Sequence, residues 1–246
     1  MQQHILSPNF SVDCVVFGFD FEKLKVLLVE RKLADDQTGQ VLIDDFTLAG
    51  NHVYNDENLD QAAGRILYDL TGLENIYLEQ FHTFGNPERL SKNKDIVWLN
   101  SIGLNPDNRV VTTAYYSLIR LNDMKIQERG RKLIWHPVGE PIDLAFDHEN
   151  IISLALEALR TKIRTNPIGF ELLPTKFTLT QLQKLYEEIM GIAYDKRNFR
   201  KKISRMDYLV PLNEKQKGVA HKPAQLFMFS KDVYEKTKKD FFDFTV

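Results

Sequence analysis

The chain has 246 residues, 43% of them hydrophobic and 27% charged, enough apolar material for one large or two ordinary buried cores. No apolar run approaches the ~20 residues of a membrane span, the N-terminal MQQHILSPNFSVDC lacks a basic-then-apolar leader pattern, and a single cysteine, Cys14, cannot form an internal disulfide. A cytoplasmic protein with a buried, inert thiol is the expectation. The formal net charge of −2 conceals a division: residues 1–165 hold 17 Lys/Arg against 24 Asp/Glu, whereas residues 166–246 hold 15 against 10. The basic second part is a candidate for contact with a polyanion.

In chain order, residues 11–19 (SVDCVVFGF) and 24–31 (LKVLLVER) are apolar, β-branched and divided by a short polar turn, which predicts two strands. FTLAGNHVY (46–54) predicts a strand entering a glycine turn. From Asn58 to Asp69 the spacing predicts a helix, with Leu59, Ala62, Ala63, Ile66, Leu67, Leu70 and Leu73 on one face and Thr71-Gly72 at its end. Strands follow near 76–84, 110–121 and 132–138, and then a helix over 149–164. Alternating strands and helices imply a mixed α/β layer fold. The polar, proline-containing stretch from Asn86 to Arg109 exceeds an ordinary connection and reads either as a surface insertion or as a functional loop.

A break at Thr165-Asn166-Pro167-Ile168-Gly169 predicts a domain boundary, giving domains 1–165 and 166–246. The second contains a helix after Phe177-Thr178-Leu179-Thr180, capped through either Thr178 and Gln181 or Thr180 and Gln183. Gly191 ends that helix and Asp195 caps the next, DKRNFRKKISRM. Strand candidates YLVPL (208–212) and QLFMFS (225–230) flank a basic link. Helix, turn, helix and hairpin is the order of a winged helix-turn-helix. In its second helix Phe199, Ile203 and Met206 can be buried, leaving Arg197, Lys201 and Arg205 on the opposite side with Lys196, Asn198, Arg200 and Lys202 beside them. Such a cationic face suits the major groove, and Lys215, Lys217, His221 and Lys222 of the wing link suit the adjacent backbone.

In its strand–turn–helix context, NDENLDQAAGRILYDLTGL (55–73) resembles the Nudix box, with Glu57, Arg65, Gly72 and Leu73 as retained anchors. Asn51 stands for the motif glycine, Ile66 for the first metal-binding Glu, and Asp69-Leu70 for the Glu-Glu pair. Hydrolysis of a diphosphate on this motif needs hard oxygen ligands around Mg²⁺. Positions 66, 69 and 70 share one helix face, and two of the three acids are gone. We therefore expect no metal, no cofactor and no catalytic residue.

FGNPER (84–89), RVVTTAYYSLI (109–119), LAFDHENII (144–152), PIGFELLPTKFTLTQLQKLYE (167–187) and DKRNFRKKISRMDYL (195–209) are similar to segments of the Nudix-related bacterial transcription regulators. Among these, the arabinose-utilisation group is the nearer likeness and the ADP-ribose-sensing regulators of NAD metabolism the alternative. The resemblance departs at residues 90–108, where that group has a shorter link. It implies a Nudix-like α/β/α sandwich with a mixed sheet followed by a C-terminal winged helix-turn-helix. It further implies a homodimer on a double-stranded DNA operator, with a small effector, such as a pentose, in the former catalytic pocket. Candidate effector residues are Arg31, Asn51, His52, Glu57, Arg65, Asp69, Asp147 and His148. A divergent active hydrolase is the competing reading.

Overall fold

The computed structural model describes residues 5–74, 76–121, 130–220 and 222–237. The chain divides into two compact units, each taken by itself below.

The first is built on a seven-stranded sheet. Its strands are β1 (Leu6–Phe19), β2 (Leu24–Ala34), β3 (Val41–Thr47), β4 (Ala49–Tyr54), β5 (Tyr77–Phe84), β6 (Val111–Arg120) and β7 (Leu133–Pro137). The main path runs β3-β2-β1-β6-β5, with β4 added to β1 and β7 to β2. The expected single strand over 46–54 is two strands, because the chain leaves β3 at Thr47 and pairs afresh with β1 from Ala49. β1 is buried from Val12 through Phe17 with no solvent-exposed face, as a strand covered on both sides must be.

Helix α1 (Leu59–Thr71) covers one side. Asn58 accepts a hydrogen bond from the Gln61 N–H and Gln61 answers it, while Gly72, at φ +71, ends the helix in a left-handed turn. Its predicted apolar face is the observed one: Ala62, Ala63, Ile66 and Leu67 join Val12, Cys14 and Val16 in one core cluster, with Leu59, Leu70 and Leu73 packed against it. Cys14 is fully buried there, and burial pushes its thiol far above the usual range. The alternate β1 residue, Asp13, meets His148 at the start of α3 (His148–Thr165), so this helix begins on the opposite side. Helices on both faces of the sheet make the Nudix-like α/β sandwich. A further helix, α2 (Asn93–Ser101), lies inside the polar stretch that sequence reading left without structure.

The second unit holds a 3-10 turn (Pro167–Leu172), α4 (Leu179–Met190), α5 (Lys196–Ile203), the hairpin β8 (Leu209–Lys215) and β9 (Gln225–Phe229), and α6 (Lys231–Thr237). Thr178 and Gln181, one of the two pairs considered, form the cap of α4, and Gly191 at φ +69 closes it. Leu182, Leu185, Tyr186 and Ile189 are buried under α5, which contributes Phe199 and Ile203. Paired backbone hydrogen bonds between Phe177 and Phe227 join the entry of α4 to the hairpin, and Phe170 stacks on Phe229 at 4.5 Å. This is the expected winged helix, with α6 as an unforeseen addition.

Candidate effector cavity and nucleic-acid interface

The remnant of the Nudix box is arranged for packing. Ile66 is 2% exposed within the core cluster, and Leu70 packs against the same cluster. Asp69 is exposed and lies 3.8 Å from Arg65. Arg65 donates to Glu57 through Nε at 2.8 Å and Nη2 at 2.5 Å, donates to the His52 carbonyl, and stacks on Tyr54. Burial would raise the Glu57 carboxyl, but the Arg65 hydrogen bonds outweigh it and hold the group below the usual range. Glu57 also accepts from the Tyr54 N–H, so the pair ties the loop before α1 to the helix. A divalent cation does not fit this face, which offers one exposed carboxylate beside two apolar side chains. Among the described residues no group of three or more His, Cys, Asp or Glu is placed to hold a metal ion.

A cavity of about 140 Å³ opens elsewhere on the sheet, at β1 and β4. Of the expected effector residues it collects Asn51, His52 and His148. Asp147 lines an adjoining recess with Arg89. Arg31, Glu57, Arg65 and Asp69 are not among the lining residues of either. The cavity floor is a buried polar chain of which sequence reading named Asp147 and His148 but not Asp13 or Arg89. Arg89 donates to Asp147 at 2.8 Å and to Asp13 at 3.3 Å, and Asp13 lies 3.6 Å from His148 Nε2. The Leu48 N–H donates to His148 Nδ1 at 3.0 Å, which leaves the ring proton on Nε2, facing Asp13. Burial is the largest influence on His148 and lowers its pKa, so the ring is held neutral. Gly50 makes room for this floor: it lies opposite Asp13 in the β1–β4 register, and a Cβ there would run into the Asp13 carboxylate.

Arg31 performs a different task from the one expected. It is almost wholly buried, donates to both oxygens of Asp45 at 2.7 Å, and donates to Asp95 of α2 at 2.7 Å. Asp45 is its cross-strand partner in β3, and Asp95 also accepts the Phe146 N–H. Burial pulls the guanidinium pKa down, but the two carboxylates outweigh it and keep the charge. The guanidinium lies against the rings of Trp98 and Phe146, both of which line the cavity. The insertion therefore has a definite place: α2 is pinned to the sheet through Asp95, and Trp98, Leu99, Ile102 and Leu104 form the apolar wall.

In the second unit, Lys196, Arg197, Asn198, Arg200, Lys201 and Arg205 are exposed and Lys202 is half-buried, opposite the buried Phe199 and Ile203. The α5 helix ends at Ile203, so Arg205 stands two residues beyond it. Asp195 caps the helix by accepting the Asn198 N–H. On the wing, Lys215 belongs to β8, while Lys217 and Lys222 are exposed on the link. His221 lies outside the described residues.

Residues 169–229 match the model of the NrtR DNA-binding winged helix domain. A solved NrtR of Shewanella oneidensis in complex with a 27mer DNA superposes with a TM-score of 0.70 at 26% identity, over 92% of this chain and 95% of that one. In build the chain is similar to the NrtR-type, Nudix-related transcriptional regulators. The same Shewanella protein without DNA gives a TM-score of 0.69 at 28% identity, over 91% of this chain and 94% of that one. A curated relative, the ADPR responsive transcriptional repressor NtrR of Acinetobacter baylyi, is 29% identical over 232 residues, 93% of this chain and 85% of its own length. A MutT/nudix family protein of Enterococcus faecalis, at 21% identity and a TM-score of 0.64, shares the fold. In the NrtR-like chain the Nudix-like and winged-helix parts follow one another as the sequence led us to expect.

Proposed function

We propose that this chain is a sequence-specific transcriptional regulator whose domain over residues 1–165 binds ADP-ribose and thereby alters the DNA affinity of residues 166–246. The observation that carries the DNA half is the exposed cationic side of α5, backed by buried Phe199 and Ile203 within an NrtR-type winged helix. A homodimer in the cytoplasm would set two such helices in successive major grooves of a palindromic operator, with wing lysines on the backbone. An effector changes DNA affinity only through its different affinity for the two arrangements of the protein.

The choice of ADP-ribose over a pentose rests on the Acinetobacter relative, described as ADPR responsive. The expectation of an arabinose regulator came from segment resemblance and from the missing metal-binding acids, and the relatives do not support it. The altered metal face supports a sensor that leaves its ligand intact, since losing one group that stabilises transition-state charge costs ~10²–10³ in rate. Three measurements test the reading. Operator-duplex anisotropy should respond to ADP-ribose and ignore arabinose; the reverse pattern would restore the sugar reading. Incubation with ADP-ribose and Mg²⁺ or Mn²⁺ should release no AMP at ordinary turnover. Sedimentation of the protein–duplex complex should give two chains per operator.

A further inference from the structure

Helix α2 is an unusual surface helix. Its only fully buried charged residue, Asp95, faces inward, whereas Val97 and the following Ile102 are 42% and 50% exposed. An ordinary amphipathic helix buries its apolar residues and exposes its acids; here Leu99 follows that rule, while Asp95 and Val97 do not. The inward Asp95 is explained by Arg31, which it meets at 2.7 Å, but nothing among the described residues covers the exposed apolar edge. That edge is continuous with the cavity wall: Ile102 lines it together with Trp98 and Leu104.

The cavity has two chemically distinct sides. One is the polar floor of Asp13, Arg89 and His148; the other is the apolar wall contributed by α2 and Phe146. Arg31 holds the two aromatic rings of that wall, 5.3 Å from the centroid of Trp98 and 5.1 Å from that of Phe146. Rings fixed in this way lose little freedom when a flat group is laid on them. The cavity adjoins the recess lined by Arg89 and Asp147, so a ring laid on the apolar wall leaves a larger ligand room to continue there.

We propose that α2 is a recognition element for the planar half of a nucleotide effector, with Trp98 and Ile102 as the specificity-determining side chains. A nucleobase would lie against Trp98 under the lip formed by Ile102, and the polar floor would take hydroxyl or ring-nitrogen hydrogen bonds. This rests on the ADP-ribose reading and goes further: it assigns the discrimination to residues 93–104, in the segment that departs from the regulator pattern.

The test is calorimetric titration of the full chain with ADP-ribose and with its two halves, AMP and ribose 5-phosphate. Stacking of a base on an aromatic side chain predicts a loss of about tenfold or more for ADP-ribose and AMP in Trp98→Ala. Ile102→Asn, at an exposed position that folding does not depend on, should act in the same direction. Ribose 5-phosphate affinity should stay within about twofold in both. Unchanged ADP-ribose and AMP binding in Ile102→Asn, in a variant that melts as the parent does, overturns the proposal. So does an equal loss for ribose 5-phosphate. If the parent protein binds AMP but not ADP-ribose, the ADP-ribose reading falls and the α2 assignment is decided on AMP alone. If the parent protein binds none of the three, both fall.

Discussion

Asp95→Ala isolates what holds the insertion on the sheet. The carboxylate of Asp95 accepts Arg31 Nη2 at 2.7 Å through one oxygen and the Phe146 N–H at 2.9 Å through the other, with no exposure to water. Losing a hydrogen bond to a charged group costs about 1.5–3 kcal/mol, and a stranded buried N–H about 1–3. Breaking a buried pair outright costs about 3–5 kcal/mol, but Arg31 keeps both bonds to Asp45 and is not stranded. We therefore expect a loss of about 3 kcal/mol. Asp95→Asn retains one acceptor oxygen and should lose about half as much. The assay is urea unfolding followed by tryptophan emission, which reports on the first unit because the only two tryptophans, Trp98 and Trp135, both belong to it. At a slope of about 1–3 kcal/mol/M the midpoint should fall by about 1–3 M. Hydrogen exchange should show the α2 amides losing protection first. A shift below about 1 kcal/mol, or an Asn variant as weak as the Ala one, would refute the claim that this carboxylate docks α2.

Four further outcomes follow from the structure. Gly50→Ala should displace the Asp13 carboxylate, destabilise the first unit by about 1–3 kcal/mol, and blunt the effector response while DNA binding without effector persists; thermal shift and anisotropy read the two separately. Replacing Arg197 and Lys201 together by Ala should make the log–log salt dependence of duplex binding shallower by about two units, and an unchanged slope would remove both from the phosphate contacts. His148 is kept neutral by burial, so its folded pKa lies below the ordinary 6.5; stability should be intact above about pH 6.5 and decline as pH falls below it, because the unfolded chain takes up the proton first. In His148→Asn that decline between pH 7 and 5 should flatten. Glu57, held low by Arg65, contributes stability above its ordinary pKa that is lost as pH falls through its folded value, and Glu57→Gln should reduce the acid sensitivity seen below pH 4.5.

The sheet, α1 and the winged helix were legible because their burial follows the periods of strands and helices. The α1 stripe from Leu59 to Leu73 and the α5 split between Phe199/Ile203 and the cations read directly from spacing. α2 was not legible for a physical reason: its inner face is organised by an ion pair at Asp95 rather than by an apolar row. The candidate site was read in part. Asn51, His52 and His148 meet at one cavity. Arg31 was expected in it as well, yet it is held by Asp45 and Asp95, which sit 14 and 64 residues away. The floor residues Asp13 and Arg89 are 76 residues apart, and nothing local to either marks the pair.

The packing of Ile66 bears on how such a protein can change over generations. In a helix whose metal face is still solvated, an acid can be lost and regained by single substitutions. Here position 66 is 2% exposed, inside a cluster that also holds Val12, Cys14 and Tyr115, and a carboxylate returned to it would be buried without a cation, at a cost of several kcal/mol. A substitution that restored the motif acid at this position would therefore lose folding stability before it added anything in chemistry.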